Sequence, residues 1–296
     1  MAKKSKKPIE IDLAPLRKPL GEEIPVALVN RLERERGREL RNMHDGLATL
    51  LKLTIRVSHV TWDSIRFLCT TSGDSPGRRQ EFATAVPPLS RTILDSLFTV
   101  IFIFDDPVRN AAQYFKSGWR ESHEDHLRLC HRHGTDPEWR HWLPRHARMV
   151  RGLGKDAGIT ATEKRNPRIV DRWPNPGRMA SQTKDARRRA FLQFLSDWFY
   201  KQLSRDAHLS YQGLVHRASH LSDPARSDIG RERLQLYKWE VILTSICMYT
   251  ALLSEIAGQF GFDYEGRRLH DAWKVLGKWP DAADLYKERY QAWLPT

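Results

Sequence analysis

The chain has 296 residues, with 49 Lys and Arg against 36 Asp and Glu, a formal charge of +13. Its 10 Trp and 11 Phe exclude an intrinsically disordered class and supply material for a sizeable core. Three widely spaced cysteines, Cys69, Cys130 and Cys247, exclude a disulfide scaffold or a Cys-based zinc module and fit a reducing, cytoplasmic setting.

Residues 1–24 read as a basic, flexible tail, with lysines at positions 3, 4, 6 and 7 and breakers at Pro8, Pro15, Pro19 and Gly21. The start MAKKSKKP has no apolar segment behind it and does not read as a signal peptide. Residues 25–296 read as a single helical domain. Leu40, Met43, Leu47, Leu50, Val57, Ile65 and Leu68 recur at helical steps and predict one long helix. Gly73, Asp74, Pro76 and Gly77 predict a turn. Pro87 and Pro88 then mark the first turn of a helix over Leu89–Phe104. Its run LFTVIFIF is rich in strand formers, yet no second strand pattern exists to pair with it, and Leu89 to Leu94 leads into it at helical spacing.

Asp105-Asp106-Pro107 stops that helix and opens another to about His133. Asp136-Pro137 starts a short helix bearing Trp139 and Trp142. Residues 152–183 contain four glycines and three prolines and read as one long basic loop, too long for an ordinary connection. Helical spacing returns at Asp185 and runs to His220, with a break near Ser204; Asp223-Pro224 punctuates it. A long helix follows over about residues 227–259. Its stretch Val241–Ala257 is the most apolar of the chain, but Thr244, Ser245, Thr250, Ser254 and Glu255 make it a core helix rather than a membrane span. Two shorter helices close the chain, the second introduced by Pro280-Asp281 and ending near Trp293. The fold class is therefore all-α: a multi-helix bundle with long antiparallel helices. The helices near Leu89–Phe104, Phe191–His220 and Tyr237–Ala257 are expected to form its central layer.

Between Arg145 and Arg189 there are 13 basic and four acidic residues, so the positive charge is concentrated there and in the tail. A localised excess points to an anionic partner more firmly than a high pI does. Arg165, Arg168, Arg172, Arg187, Arg188 and Arg189 are the expected nucleic-acid contacts.

Three constellations could carry chemistry. Arg91 and Asp95 are four apart on one helical face, and Tyr211 and His216 lie in an apolar setting with Leu214 and Val215. These four are expected either to satisfy one another as a buried hydrogen-bond network or to line a catalytic pocket. The segments LSRTILDSLFTVIFIFDDP and YQGLVHRASH, which hold them, resemble an uncharacterised bacterial all-helical family catalogued as domain of unknown function 5677. The resemblance rests on Arg91, Asp95, Ser210, Tyr211 and His216, and it implies an all-helical fold with no established activity.

The second constellation is the Arg-x4-6-His spacing of helical ribonucleases and toxins of the HEPN type, which this chain resembles in class. It occurs at Arg38/His44, Arg120/His126, Arg128/His133 and Arg140/His146. Chance alone gives about as many matches in a chain this rich in Arg and His. Arg120/His126 is preferred because it lies in the clearest helix; in such enzymes the Arg organises phosphate and the His moves a proton. The third is His123, His126 and Cys130 on one face, which has the geometry of a zinc site. The absence of a CxxC pair and of HExxH leads us to expect no metal, and no cofactor loop is present. The function expected is a cytoplasmic, nucleic-acid-associated helical protein, RNA favoured, in the manner of an RNA-targeting defence or toxin effector. Any activity would be a metal-independent, ribonuclease-like one. The alternative is a non-catalytic helical scaffold that binds a protein partner or a second copy of itself. No membrane association is expected.

Overall fold

A computed structural model describes residues 12–70, 82–207, 211–222, 227–291 and 293–294. Among these the only regular secondary structure is helical, with no strand. The elements are α1 (Ala14–Lys18), α2 (Ile24–Arg34), α3 (Gly37–Met43), α4 (Leu47–Thr70), α5 (Val86–Asp105), α6 (Pro107–His133), α7 (Trp142–Asp156) and α8 (Ala161–Arg165). They continue with α9 (Pro176–Gln182), α10 (Ala186–Leu195), α11 (Lys201–Ala207), α12 (Tyr211–Ser222), α13 (Asp228–Phe260), α14 (Asp263–Leu276) and α15 (Pro280–Leu285). Single π turns join α1 to α2 and α10 to α11.

The centre is α13 packed on α5 and α4. Every residue of α13 from Val241 to Ala257 is buried, so this helix is apolar on all sides, as the innermost element of a bundle must be. Its hydroxyls turn inward on its own backbone: Ser245, Thr250 and Ser254 each donate to the carbonyl four residues earlier. Ser90 of α5 meets Ser245 at 2.6 Å, and the indole of Trp273 donates to Ser254 at 3.0 Å. Buried polar groups are thereby paired at little cost. Gly261, at φ 63°, ends α13 in the left-handed conformation that glycine adopts without strain. Residues 82–105 and α13 are long and apolar enough to cross a bilayer, by length and composition only; the apolar window of α13 is 94% buried inside the bundle.

The helix over Leu97–Phe104, the restart at Pro107 and the long helix after residue 227 are as expected. Four expectations are corrected. Residues 12–24 are not a tail: α1, the π turn after it and the start of α2 bury Leu16, Leu20 and Ile24, four residues apart, against the core. Pro15, Pro19 and Pro25 sit in first turns, where a missing N–H costs nothing; residues 1–11 lie outside the described residues. The helix expected through Leu40–Leu68 is two, because His44 adopts an extended conformation between α3 and α4. Residues 152–183 are not one loop but the end of α7 followed by α8 and α9, opened by side-chain caps at Thr160 and Asn175. In the central layer α4 takes the place expected for residues 191–220, whose helices pack around α5 and α13 instead. The turn expected at residues 73–77 lies outside the described residues.

Apart from the main core, Trp119, Val150, Ala157 and Val170 form a small second cluster, joined by Phe115 and Ile159. This satellite carries the site described next.

Candidate nucleic-acid interface

α6 and α7 form an antiparallel hairpin: Trp119 lies against Gly154, and His126 meets His146, with their Nδ1 atoms 3.2 Å apart. A Cβ on Gly154 would lie 2.8 Å from the Trp119 indole nitrogen, so only glycine admits this approach. Residues 160–173 then run back along α6 as a strap fastened at successive turns. Lys116 pairs with Glu163 at 2.6 Å, and Arg120 donates to the carbonyl of Val170 at 2.6 Å. Glu124 pairs with both Arg120 (2.8 Å) and Arg172 (2.9 Å), and the N–H of Trp173 donates to Ser117 Oγ at 2.6 Å. The Trp173 ring meets Phe102 and Tyr114 edge-on, which anchors the strap's end on the main core. Beyond α9, the carboxylate of Asp105 accepts from the N–H groups of Lys184 and Asp185.

These fastenings occupy Glu163, Glu124 and Asp105 and leave cations outside, with Asp156 and Asp171 exposed among them. On α7, Arg145, Arg148, Arg151 and Lys155 are spaced by three or four residues and share a face, since each residue of a helix turns by about 100°. All four are exposed, as are Lys164, Arg165 and Arg168 on the strap, and none of the seven forms an ion pair among the described residues. Beside the cations on α7 lie exposed apolar side chains, Trp142, Met149 and Leu153. Between α6 and the strap is a hollow of about 480 Å³ lined by Arg109, Lys116, Arg172 and Arg178 together with Glu163 and Asp171.

Of the six arginines expected to bind nucleic acid, Arg165, Arg168 and Arg187 are exposed and free to do so. Arg172 is exposed but paired to Glu124, and Arg189 reaches the carbonyl of Thr183. Arg188 is structural: its guanidinium donates to the Phe104 carbonyl and to Gln259, both at 2.6 Å. The four cations of α7 fall within the basic stretch Arg145–Arg189 but are not among the six expected contacts, although their helical spacing is legible in residues 145–155.

The expected quartet does not form one buried network. Arg91 pairs with Asp95 at 2.9 Å and lies 3.5 Å over the ring of Tyr200. Tyr211 is 83% exposed, and Leu214 and Val215 beside it are exposed as well, so the apolar setting inferred for α12 is a surface. His216 packs edge-on against Tyr237, with centroids 5.8 Å apart. Ser210 lies outside the described residues. Arg120 and His126 do not converge either: Arg120 is spent on the strap, while His126 faces His146 and Cys130. His123 is stacked on Trp119, and no group of three His, Cys, Asp or Glu is placed to hold a metal among the described residues.

No family model, curated protein or solved structure matches this chain. The likeness to the uncharacterised helical family and to HEPN ribonucleases thus rests on the residue patterns alone.

Proposed function

We propose that this protein binds nucleic acid, RNA favoured, through the face formed by α7 and the strap. The observation that supports this most is the set of seven exposed cations without ion-pair partners on one satellite of the fold. A solvated helix face that balances its own charge, as α6 does with Arg120–Glu124, leaves no such excess. A surface of this kind contacts phosphates and takes its affinity from counterion release. The reading is one of binding and not of cleavage, because neither the quartet nor Arg120/His126 brings a general base and a phosphate ligand together. A cytoplasmic location follows as part of the same proposal.

The test is fluorescence anisotropy with a labelled RNA across a salt series. Binding should weaken steeply as salt rises, with log–log slope about −0.7 per phosphate contact for a single strand. A variant carrying Arg145→Glu, Arg148→Glu and Arg151→Glu should lose most of that affinity and flatten the slope. Absence of binding at low salt, or equal binding by the variant, defeats the proposal and favours a scaffold for a protein partner.

A further inference from the structure

At the tip of the α6–α7 hairpin five rings follow one another. His133 is stacked on Trp139, with centroids 4.2 Å apart and planes 10° apart. Trp139 meets Trp142 edge to face at 5.2 Å, and Trp142 is stacked on His146 at 4.6 Å and 16°. His146 in turn meets His126. Neither tryptophan belongs to the main core or to the satellite cluster. Trp142 is 43% exposed, a large ring fixed by its neighbours and open to water.

This ring does not stabilise the core, and it sits where the cations begin. Trp142 opens α7, and Arg145 lies one turn further along the same side. Cations that follow a phosphate chain, beside a fixed aromatic ring, are the two parts of a single-strand binding surface. The cations hold the backbone whatever its sequence, and the ring takes the face of a base that is not already stacked. A duplex offers phosphates to the cations but no free base face to the ring.

We propose that Trp142, backed by Trp139 and His146, is a stacking platform for unpaired bases, so that this surface selects single-stranded over duplex nucleic acid. The inference rests on the proposed nucleic-acid binding and adds its strandedness. A tryptophan beside arginines also suits a helix lying on an anionic bilayer. The cations here extend beyond the helix onto the strap, and the ring is held by other rings, while Met149 and Leu153 leave apolar area exposed on the same helix. The first two features favour a nucleic acid.

The experiment uses the full chain, a labelled RNA 20-mer, the same strand annealed to its complement, and phosphatidylserine vesicles. Wild-type protein should bind the single strand on the order of ten-fold more tightly than the duplex at equal salt. Trp142→Ala should lose most of that preference while duplex affinity stays within about two-fold, and Trp142→Phe should recover part of it. Equal wild-type affinity for both forms overturns the platform, and this result depends on no variant. Unchanged single-strand affinity in a folded Trp142→Ala or Trp142→Leu protein overturns it too. In either case the triple charge reversal still reports separately on nucleic-acid binding itself. Strong vesicle binding with no affinity for either RNA form overturns both proposals.

Discussion

Among the described residues the most deeply buried carboxylate is Glu255, which is fully enclosed on α13. Arg289 meets it with two hydrogen bonds, at 2.9 and 3.0 Å, and the phenol of Tyr290 donates to it at 3.1 Å. Burial pushes the Tyr290 phenol far above its ordinary range, so it remains a donor at any working pH. Removing one member of such a group strands a buried charge. Glu255→Ala should therefore destabilise by about 3–5 kcal/mol in urea denaturation, and a loss below about 1 kcal/mol would contradict this account. Arg91 and Asp95 offer the contrast: Asp95 is half exposed, and the pair should contribute no more than about 1 kcal/mol. The sequence invites the opposite ranking, because Arg91 and Asp95 stand four apart before an apolar run while Glu255 has no partner nearby in the chain. Arg289 lies 34 residues away, on the turn after α15. Periodicity reveals only partners on the same helix, so a pair made across helices stays hidden.

At the level of elements, the seat of α7 depends on Gly154. Replacing glycine by alanine in an exposed helix interior gains about 1 kcal/mol. Here the new methyl would press on Trp119, whose ring is buried and stacked on His123, and overpacking costs about 1–3 kcal/mol. Gly154→Ala should accordingly lower stability, with faster amide exchange across residues 142–173 and unchanged protection in α13. Slower exchange in α7 would show that the ring gives way freely. Arg120→Ala makes a companion case. It removes the strap's hydrogen bond to Val170 and the link to Glu124, so limited proteolysis should cut within residues 160–173 sooner. A phosphate ligand with no structural duty would leave the strap as resistant as before. Much of the element pattern is legible in the sequence: the stop and restart at Asp106-Pro107, for instance, appears as a side-chain cap from Asp106 to the N–H of Arg109. The strap is less legible because its helices are short and their apolar side chains few. Its Thr160-x-x-Glu163 capping box was nonetheless a local signal. Residues 12–24 mislead for a related reason, since proline breaks a helix interior but suits a first turn.

For the whole molecule, the all-helical class and the location of the excess charge follow from composition and pattern. Which cations are fastened inward and which remain outside does not, because that depends on where α6 places Lys116, Arg120 and Glu124. The same fastenings set the response to acid. Burial, together with His146 and His123 and then Arg151, holds the His126 imidazole below its ordinary value. Burial does the same to His44, whose Nδ1 accepts from the N–H of Gly46, and to His270, partnered by Tyr286. In the unfolded chain these imidazoles take a proton near pH ~6.5. Below that pH the unfolded state binds more protons than the folded state, so stability should fall as pH drops from about 6.5 to the folded values and then level off. The carboxylates act later. The Arg120 guanidinium lowers Glu124, the Lys184 ammonium lowers Asp106, and the backbone N–H of Arg188 lowers Asp185. Their contribution is full above the ordinary carboxylate range of about 4 and is lost below it, as pH falls through their lowered folded values. Two separated declines are thus expected when unfolding free energy is measured from pH 7.5 down to about 2. His44→Gln, which leaves an uncharged acceptor for Gly46, should shrink the first decline and leave the second. The second should coincide with proteolytic opening of residues 160–189, since Glu124, Asp106 and Asp185 fasten or cap that segment. A protein that grows more stable between pH 7 and 5.5, or one whose strap stays closed through the carboxylate step, would refute this account of the acid response.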